Sequence, residues 1–459
     1  MSGLASGSRH GDGGNASVSG ASYHLPPGLV ARISTAVDES RDELITLVQE
    51  LVRIPSENPK LSGVADGGEA KVQDLVESVL AQAGFTIDRW DAEPGRPDVV
   101  GTLKGTGGGP SLAINGHIDV VPAGDPASWP YDPFAATIAD GMIWGRGAAD
   151  MKGGVGAMIH AAVILQRLGI RLKGDLHVES VIDEETGGPG TRSTIERGYR
   201  PDFAIVTEPT NLVIYPVEGG LEWLRVTVTG VSGHSAVRYR SVHAGGQGHA
   251  VNALEKGVKI LTAVQELERA WANRKVHPLL PAGITTINPG IMTAGSGGGA
   301  NGMPNVMTAV STMPDYCSLE LSLKYLPSER TEDVRAEFEE YIHRVAQTDE
   351  WLREHPPTIE WGLRGVSFPP ADVPIDHPGV QAIAASLEAL GQPVELGGFL
   401  AVTDIAWFAE AGIPAVIFGP ALGMGAHGSD ERVEIESLIE GAKAMALAIV
   451  AWCGVAESA

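Results

Sequence analysis

At 459 residues the chain is longer than one hydrophobic core usually serves, so two domains are expected. With 43% hydrophobic and 20% charged residues it has the composition of a globular protein, which excludes a disordered or fibrous chain. A formal net charge of -24 argues against nucleic acid and anionic membrane surfaces as partners, because both recruit clustered Lys and Arg.

Residues 1–26 are rich in Gly and Ser, lack an apolar signal core, and are expected to form a disordered tail. No apolar run reaches the ~20 residues of a membrane span, so the expected address is the cytoplasm. Beyond the tail, Asp38 to Ile54 sets Leu44, Leu47, Val48 and Leu51 at helical spacing, and a second amphipathic helix runs from about Glu69 to Gly84. Strands are expected at Thr86–Trp90, Val99–Leu103, Ser111–Asn115, Leu176–Ile182 and Phe203–Val206, with a helix from about Gly154 to Leu168. Such alternation predicts an α/β fold: a mixed, largely parallel sheet with helices on both faces.

From Gly219 the pattern changes. A strand-like LEWLRVTVTG, a helix over Ala250–Arg274, two β-rich runs (GITTINPGIM and CSLELSLKYL) and a helix after Ser328 give the order of a small α+β sandwich. The expected division is a catalytic domain of residues 27–217 and 335–459, interrupted by an inserted lid or dimerisation domain of residues 218–334. A closing helix is expected over Glu434–Trp452. Cys317 and Cys453, far apart, suggest neither a disulfide framework nor a structural zinc site.

Single acidic and histidine residues stand just after the strand-like runs, each beside Gly or Pro: His117 and Asp119 in SLAINGHIDVVP, Asp150 in GRGAADMKGG, Glu184 and Glu185 in VESVIDEETGG, Glu208 in FAIVTEPT, and His427 in GMGAHGSDERV. Ligands gather outside the carboxyl ends of strands in an open α/β sheet, so this pattern points to a metal centre. Two divalent metals need about three side chains each; with one carboxylate bridging, His117, Asp150, Glu185, Glu208 and His427 suffice. Such a pair can hold a bridging hydroxide and polarise an amide carbonyl. Imidazole with carboxylate suits zinc, or cobalt or manganese. Asp119, two residues beyond His117, is expected to accept the imidazole N–H, and Glu184 to serve as general base. The glycines around Lys152 have the wrong spacing for a phosphate loop.

In order, GHIDVVP, GRGAADMKGG, DEETGG, TEPT, GHS at Gly233–Ser235 and AHGSDERV resemble the motifs of the acetylornithine deacetylase, succinyl-diaminopimelate desuccinylase, carboxypeptidase G and aminoacylase family, from about Asp42 to the C-terminus. The resemblance implies one metal on His117, Asp150 and Glu208, the other on Asp150, Glu185 and His427, with a cis peptide after Asp150. It further implies a homodimer through the inserted domain, in which His234 reaches the partner's site to hold the oxyanion. The implied substrate is a small N-acyl amine (acetyl, formyl or succinyl), with dipeptides, or a non-catalytic metabolite-binding role, as alternatives. One departure matters: Ser311, Ser322 and Lys324 stand where the family commonly has Asn, Asp and Arg, and a lysine offers only a point charge to a substrate carboxylate. Lys324, Asn305 (or Asn301) and Thr403 are the substrate-binding candidates, Thr403 and Asp404 also being simple caps for the helix that follows. Arg238, Tyr239 and Arg240 are weaker candidates, and His243 and His249 read as loop histidines.

Overall fold

The computed structural model describes residues 23–64, 68–242, 250–307, 310–421 and 425–456. Residues 1–22 of the expected tail, with His243 and His249, lie outside them. The helix expected from Asp38 to Ile54 is Arg41–Arg53, and a further helix, Pro27–Glu39, precedes it across a break at Ser40. The upstream helix opens on Pro27 at its first turn, where the missing N–H costs nothing, and buries Ile33 and Val37.

The larger sheet has nine strands. Its centre is parallel, in the order Leu176–Val181, Leu112–His117, Phe203–Val206 and Ala415–Ile417, and antiparallel strands flank it on both sides. Successive residues of the Leu112–His117 strand show that both faces are covered. Gly116 faces Val155 and Met151 of the helix Lys152–Arg167, whereas Asn115 bonds Thr191 of the helix Pro189–Arg197. The helix Lys152–Arg167 is buried almost throughout, which follows from its VGAMIHAAVIL run, and packs against the closing helix Ile435–Cys453 and Arg41–Arg53.

A second, antiparallel sheet runs in the order Pro304–Val306, Ile287–Gly298, Tyr316–Tyr325, Gly220–Thr229, Thr358–Trp361. The strict alternation of Gly220–Thr229 turns Leu224, Val226 and Val228 to a separate core under the helices Ala253–Arg274 and Thr331–Ala346, and leaves Leu221, Trp223, Arg225 and Thr227 on the open face. The expected edge at residue 334 falls inside that core: Phe338, Ile342 and Leu352 belong to it, and Thr358–Trp361 and Ser367–Phe368 pair with Gly220–Thr229.

A small three-stranded sheet, Arg432–Glu434, Met142–Trp144 and Thr137–Ala139, ties the C-terminal loop to the loop before Asp150.

Candidate metal centre

Each candidate ligand but His427, which lies on the loop before Arg432–Glu434, leaves the C-terminal edge of the larger sheet or the helix start beside it. His117 ends its strand; Glu184 and Glu185 form a turn behind Leu176–Val181; Glu208 follows Phe203–Val206; Asp150 precedes the helix Lys152–Arg167 across a cis peptide to Met151. Close backbone packing sets their spacing. A Cβ on Gly154 would stand 2.0 Å from the carbonyl oxygen of Thr207, so only glycine lets the helix carrying Asp150 approach the strand end carrying Glu208.

The five candidates converge. Nε2 of His117 lies 3.3 Å from Oδ1 of Asp150, 3.6 Å from Oε1 of Glu208 and 3.9 Å from Oε2 of Glu184. Nε2 of His427 lies 3.3 Å from the other oxygen of Asp150 and 3.1 Å from Oε2 of Glu185. Asp150 therefore presents one oxygen to each imidazole. His117, Glu184 and Glu208 form one triad whose donor atoms lie within 4.8 Å of one another, and His117, Asp150 and Glu185 form another.

The Nδ1 of His117 sits 2.9 Å from the backbone carbonyl of Asp119, which can only accept, so Nδ1 carries a proton and, in the neutral ring that binds a metal, Nε2 is a lone pair. That Nε2 is buried without a hydrogen-bond partner. A lone pair aimed at carboxylate oxygens is repulsive unless a cation lies between them, so the donor set fits divalent metal. With protons in place of a cation, the same carboxylates, Asp150 first, hold His117 well above its ordinary value against its burial. Burial and neighbouring carboxylates hold Glu184, Glu185 and Glu208 above the usual carboxylate range, Glu184 and Glu208 well above it. His427 is pushed up to about 10 by its contacts with Asp150 and Glu185. Asp150 falls below the ordinary value because the two imidazoles outweigh its burial.

One expected role is corrected. The Asp119 carboxylate lies 3.6 Å from Nδ1 of His117, farther than the carbonyl of the same residue, and instead accepts the backbone N–H groups of Glu184 and Glu185 at 3.1 and 3.3 Å. Asp119 thus anchors the turn bearing the two glutamates. Asn58 bridges Asp119 to the buried Asp183, at 2.7 Å each. Asp183, at φ 66°, also takes Arg96 and Thr186 and sets the turn's direction. Lys152 is no phosphate ligand: it is buried and donates to the carbonyl of Ile54 at 2.8 Å.

The carboxylates open into a cavity of about 510 Å³, walled also by Leu221, Trp223, Val366, Phe368, Phe399 and Val402. Lys324 and Thr403 line it. The Lys324 ammonium is already engaged by the carbonyl of Leu400, and burial lowers its pKa. Thr403 donates to the buried Glu218 at 2.8 Å and accepts from Ile405 N, so it caps the helix; Asp404 makes no cap and is bonded by Thr191 at 2.7 Å.

His234 and Asn305 are not brought to the cavity within one chain. His234 is exposed on a two-residue strand paired with Thr312–Met313 and accepts Ala236 N–H, while Asn305 is exposed on the edge strand of the second sheet. Arg238, Tyr239 and Arg240 lie exposed on a short helix, Arg238 paired with Glu255, and Ser311 bonds the turn beside His234. The aromatic wall, by contrast, comes from three separate segments with no shared local signature, and only Trp223, inside an alternating strand, was accessible to a pattern reading.

The sequence profile of peptidase family M20/M25/M40 matches residues 113–451, and the chain belongs to that family of hydrolases. It is 36% identical to the N-formyl-4-amino-5-aminomethyl-2-methylpyrimidine deformylase of Halalkalibacterium halodurans, over 93% of this chain and 98% of that one. It is 29% identical to a succinyl-diaminopimelate desuccinylase of Cereibacter sphaeroides, over 88% of this chain and 97% of that one. Among solved structures, the Bacillus subtilis YXEP protein, described as a dinuclear metal-binding peptidase of family M20, superposes with a TM-score of 0.62 at 17% identity, covering 90% of this chain and 99% of that one.

Proposed function

We propose that the chain is a metal-dependent amidohydrolase that removes a small N-acyl group, formyl by preference, from an amine borne on a flat heteroaromatic ring. The observation that carries this is the cavity lining, which combines Asp150, Glu184, Glu185, Glu208 and the His427 imidazole with Trp223, Phe368 and Phe399. Aromatic walls suit the faces of a planar ring. A succinyl or amino-acid substrate would want a bidentate cation, and among the described residues the only Lys or Arg lining the cavity is Lys324, committed to a carbonyl. The deformylase relative, matched over almost the whole chain, supports the same choice.

His117, Asp150 and Glu208 would hold one metal and Asp150, Glu185 and His427 the other, zinc first, with cobalt or manganese as alternatives. Bound there, the two cations would polarise the amide carbonyl and acidify water. Glu184 takes the proton from the attacking water and passes it to the leaving nitrogen. Asp119 keeps Glu184 aimed by holding its backbone N–H. The unit around the second sheet, residues 218 to about 368 instead of 218–334, is an insertion that pairs two chains. Exposed apolar side chains on its helix (Leu254, Val258) and at its edge strand (Met303, Val306) support that pairing. The partner's His234 then reaches the substrate oxyanion. No helix among the described residues is long and apolar enough to cross a membrane, and a cytoplasmic enzyme is proposed.

The test is metal content with hydrolysis of N-formyl, N-acetyl and N-succinyl amines and dipeptides, before and after chelation. Two metals per chain with chelator-sensitive formate release from heteroaromatic amines is expected. Turnover of dipeptides alone would overturn the deacylase reading, and absence of both metal and turnover would favour a binding protein.

A further inference from the structure

His427 is the most exposed of the five candidate ligands and the least well placed to hold itself. Its side chain is 55% exposed, against 17% or less for the other four, and its backbone sits at φ 60°, a left-handed conformation that costs a non-glycine residue of order 1 kcal/mol or more. Something else must fix its loop. The buried pair Arg146 and Glu431 is positioned to do so. Oε1 of Glu431 accepts the backbone N–H of both Ala149 and Asp150 at 3.0 Å, and its Oε2 takes Nη1 of Arg146 at 2.5 Å. The other terminal nitrogen, Nη2, donates to the backbone carbonyl of His427 at 3.3 Å and to that of Pro122 at 3.5 Å. Arg146 is 2% exposed and lies over the ring of Trp129, 5.0 Å from its centroid. Below the pair, Arg432–Glu434 and Met142–Trp144 run antiparallel, so the two loops leave the small sheet side by side.

We propose that Arg146 and Glu431 are positioning residues chiefly for one of the two metals, the one on Asp150, Glu185 and His427, because Arg146 reaches the His427 main chain, whereas the metal on His117, Asp150 and Glu208 meets the link only at Asp150. The pair touches neither substrate nor metal. It joins the main chain of Asp150 to the main chain of His427, so that the two ligands keep their separation when the loop is empty. His117, held by the carbonyl of Asp119, and Glu208, at the end of its own strand, do not depend on it. The planar fork of Arg146 is needed because one side chain must serve a carboxylate and two carbonyls at once; a lysine ammonium at the same depth serves one direction.

The proposal rests on the metal-centre reading above and separates from it by measurement. Wild-type protein and Arg146→Lys are stripped and titrated with cobalt(II) against a competing chelator, reading affinity per equivalent and the visible absorption of each bound ion, with circular dichroism as a folding control. Two equivalents are expected for the wild type. Arg146→Lys should bind one of them about 10- to 100-fold more weakly, with an altered spectrum for that ion, and the other unchanged. Should Arg146→Lys not fold, Arg146→Gln, which leaves the Glu431 contacts to Ala149 and Asp150 in place, reads the same quantity. Wild-type affinity for both equivalents in a folded variant, or equal weakening of both, overturns the positioning role and leaves the metal centre standing. No cobalt bound by the wild type overturns the metal centre and this inference with it.

Discussion

Replacing Glu184 by Gln tests the mechanism at its most exposed step, because the substitution keeps the volume and removes the proton-accepting oxygen. The side chain is 11% exposed, and its Oε2 is the farthest from Nε2 of His117 among the three carboxylates facing that atom, 3.9 Å against 3.3 and 3.6 Å. That ranking supports Glu184 as the proposed base, with Asp150 and Glu208 as the proposed ligands. Loss of a positioned acid or base costs roughly 10²- to 10⁴-fold in rate, or about 2.7 to 5.4 kcal/mol of barrier at 1.36 kcal/mol per decade. Formate release from an N-formyl heteroaromatic amine, measured as kcat and KM alongside metal content, is the assay. We expect kcat to fall within that range, with KM little changed and both metals kept. An unchanged kcat would refute the base. Loss of one metal would show that His117, Glu184 and Glu208, the alternative triad, hold it.

Trp223→Ala should raise KM about 5- to 30-fold for ring-bearing substrates, from the loss of roughly 1 to 2 kcal/mol of ring contact and stacking, and leave KM for an aliphatic N-formyl amine nearly unchanged; equal effects on both would remove the ring from the cavity wall. Burial lowers the His160 pKa to about 4 from 6.5, so the folded state binds fewer protons than the unfolded one between those values, and stability present at pH 7 is lost as pH falls. Between pH 7 and 5 that loss is about 2 kcal/mol. Urea unfolding of wild type and His160→Gln, which can keep a bond to Ser40, should show the wild type losing that much more; parallel curves would rule it out. Val258→Glu, on the exposed helix of the second unit, is expected to convert a dimer to monomers by light scattering and to lower activity together with assembly. A fully active monomer would dispose of the partner's His234.

The candidate cluster was legible because three of its members follow strands: His117, Glu185 and Glu208 stand where a parallel sheet delivers its strand ends to one edge, and the apolar runs before them mark those strands, whereas Asp150 precedes a helix and His427 lies on a loop. The order of elements in the second sheet was readable for the same reason, through the alternation of Gly220–Thr229. What escaped was long-range. The partition between two carbonyl and carboxylate partners of one residue, Asp119, depends on the turn at Glu184, which no spacing encodes. Phe368 and Phe399 join Trp223 only through tertiary packing. The helix after Ser328 was readable as part of the sandwich from its order, but the expected edge at residue 334 cut it: Phe338 and Ile342 share a stripe that belongs to the second core, and so does Leu352 beyond it. The helix before Ser40 escaped because only Ile33 and Val37 of it are buried, too short an apolar stripe to mark a helix beside a Gly/Ser-rich stretch.

The contact at Gly154 bears on how such a centre can be altered. With the helix start resting on the carbonyl of Thr207, the gap between the Asp150 and Glu208 stations is cut by main chain against main chain. Exchanging a ligand for a longer or shorter one then changes reach without changing the gauge. Retuning this site for ions of another radius calls for lateral displacement of the helix, and a single Gly154→Ala substitution would be a blunt instrument: it would pry the two stations apart while leaving every ligand in the chain.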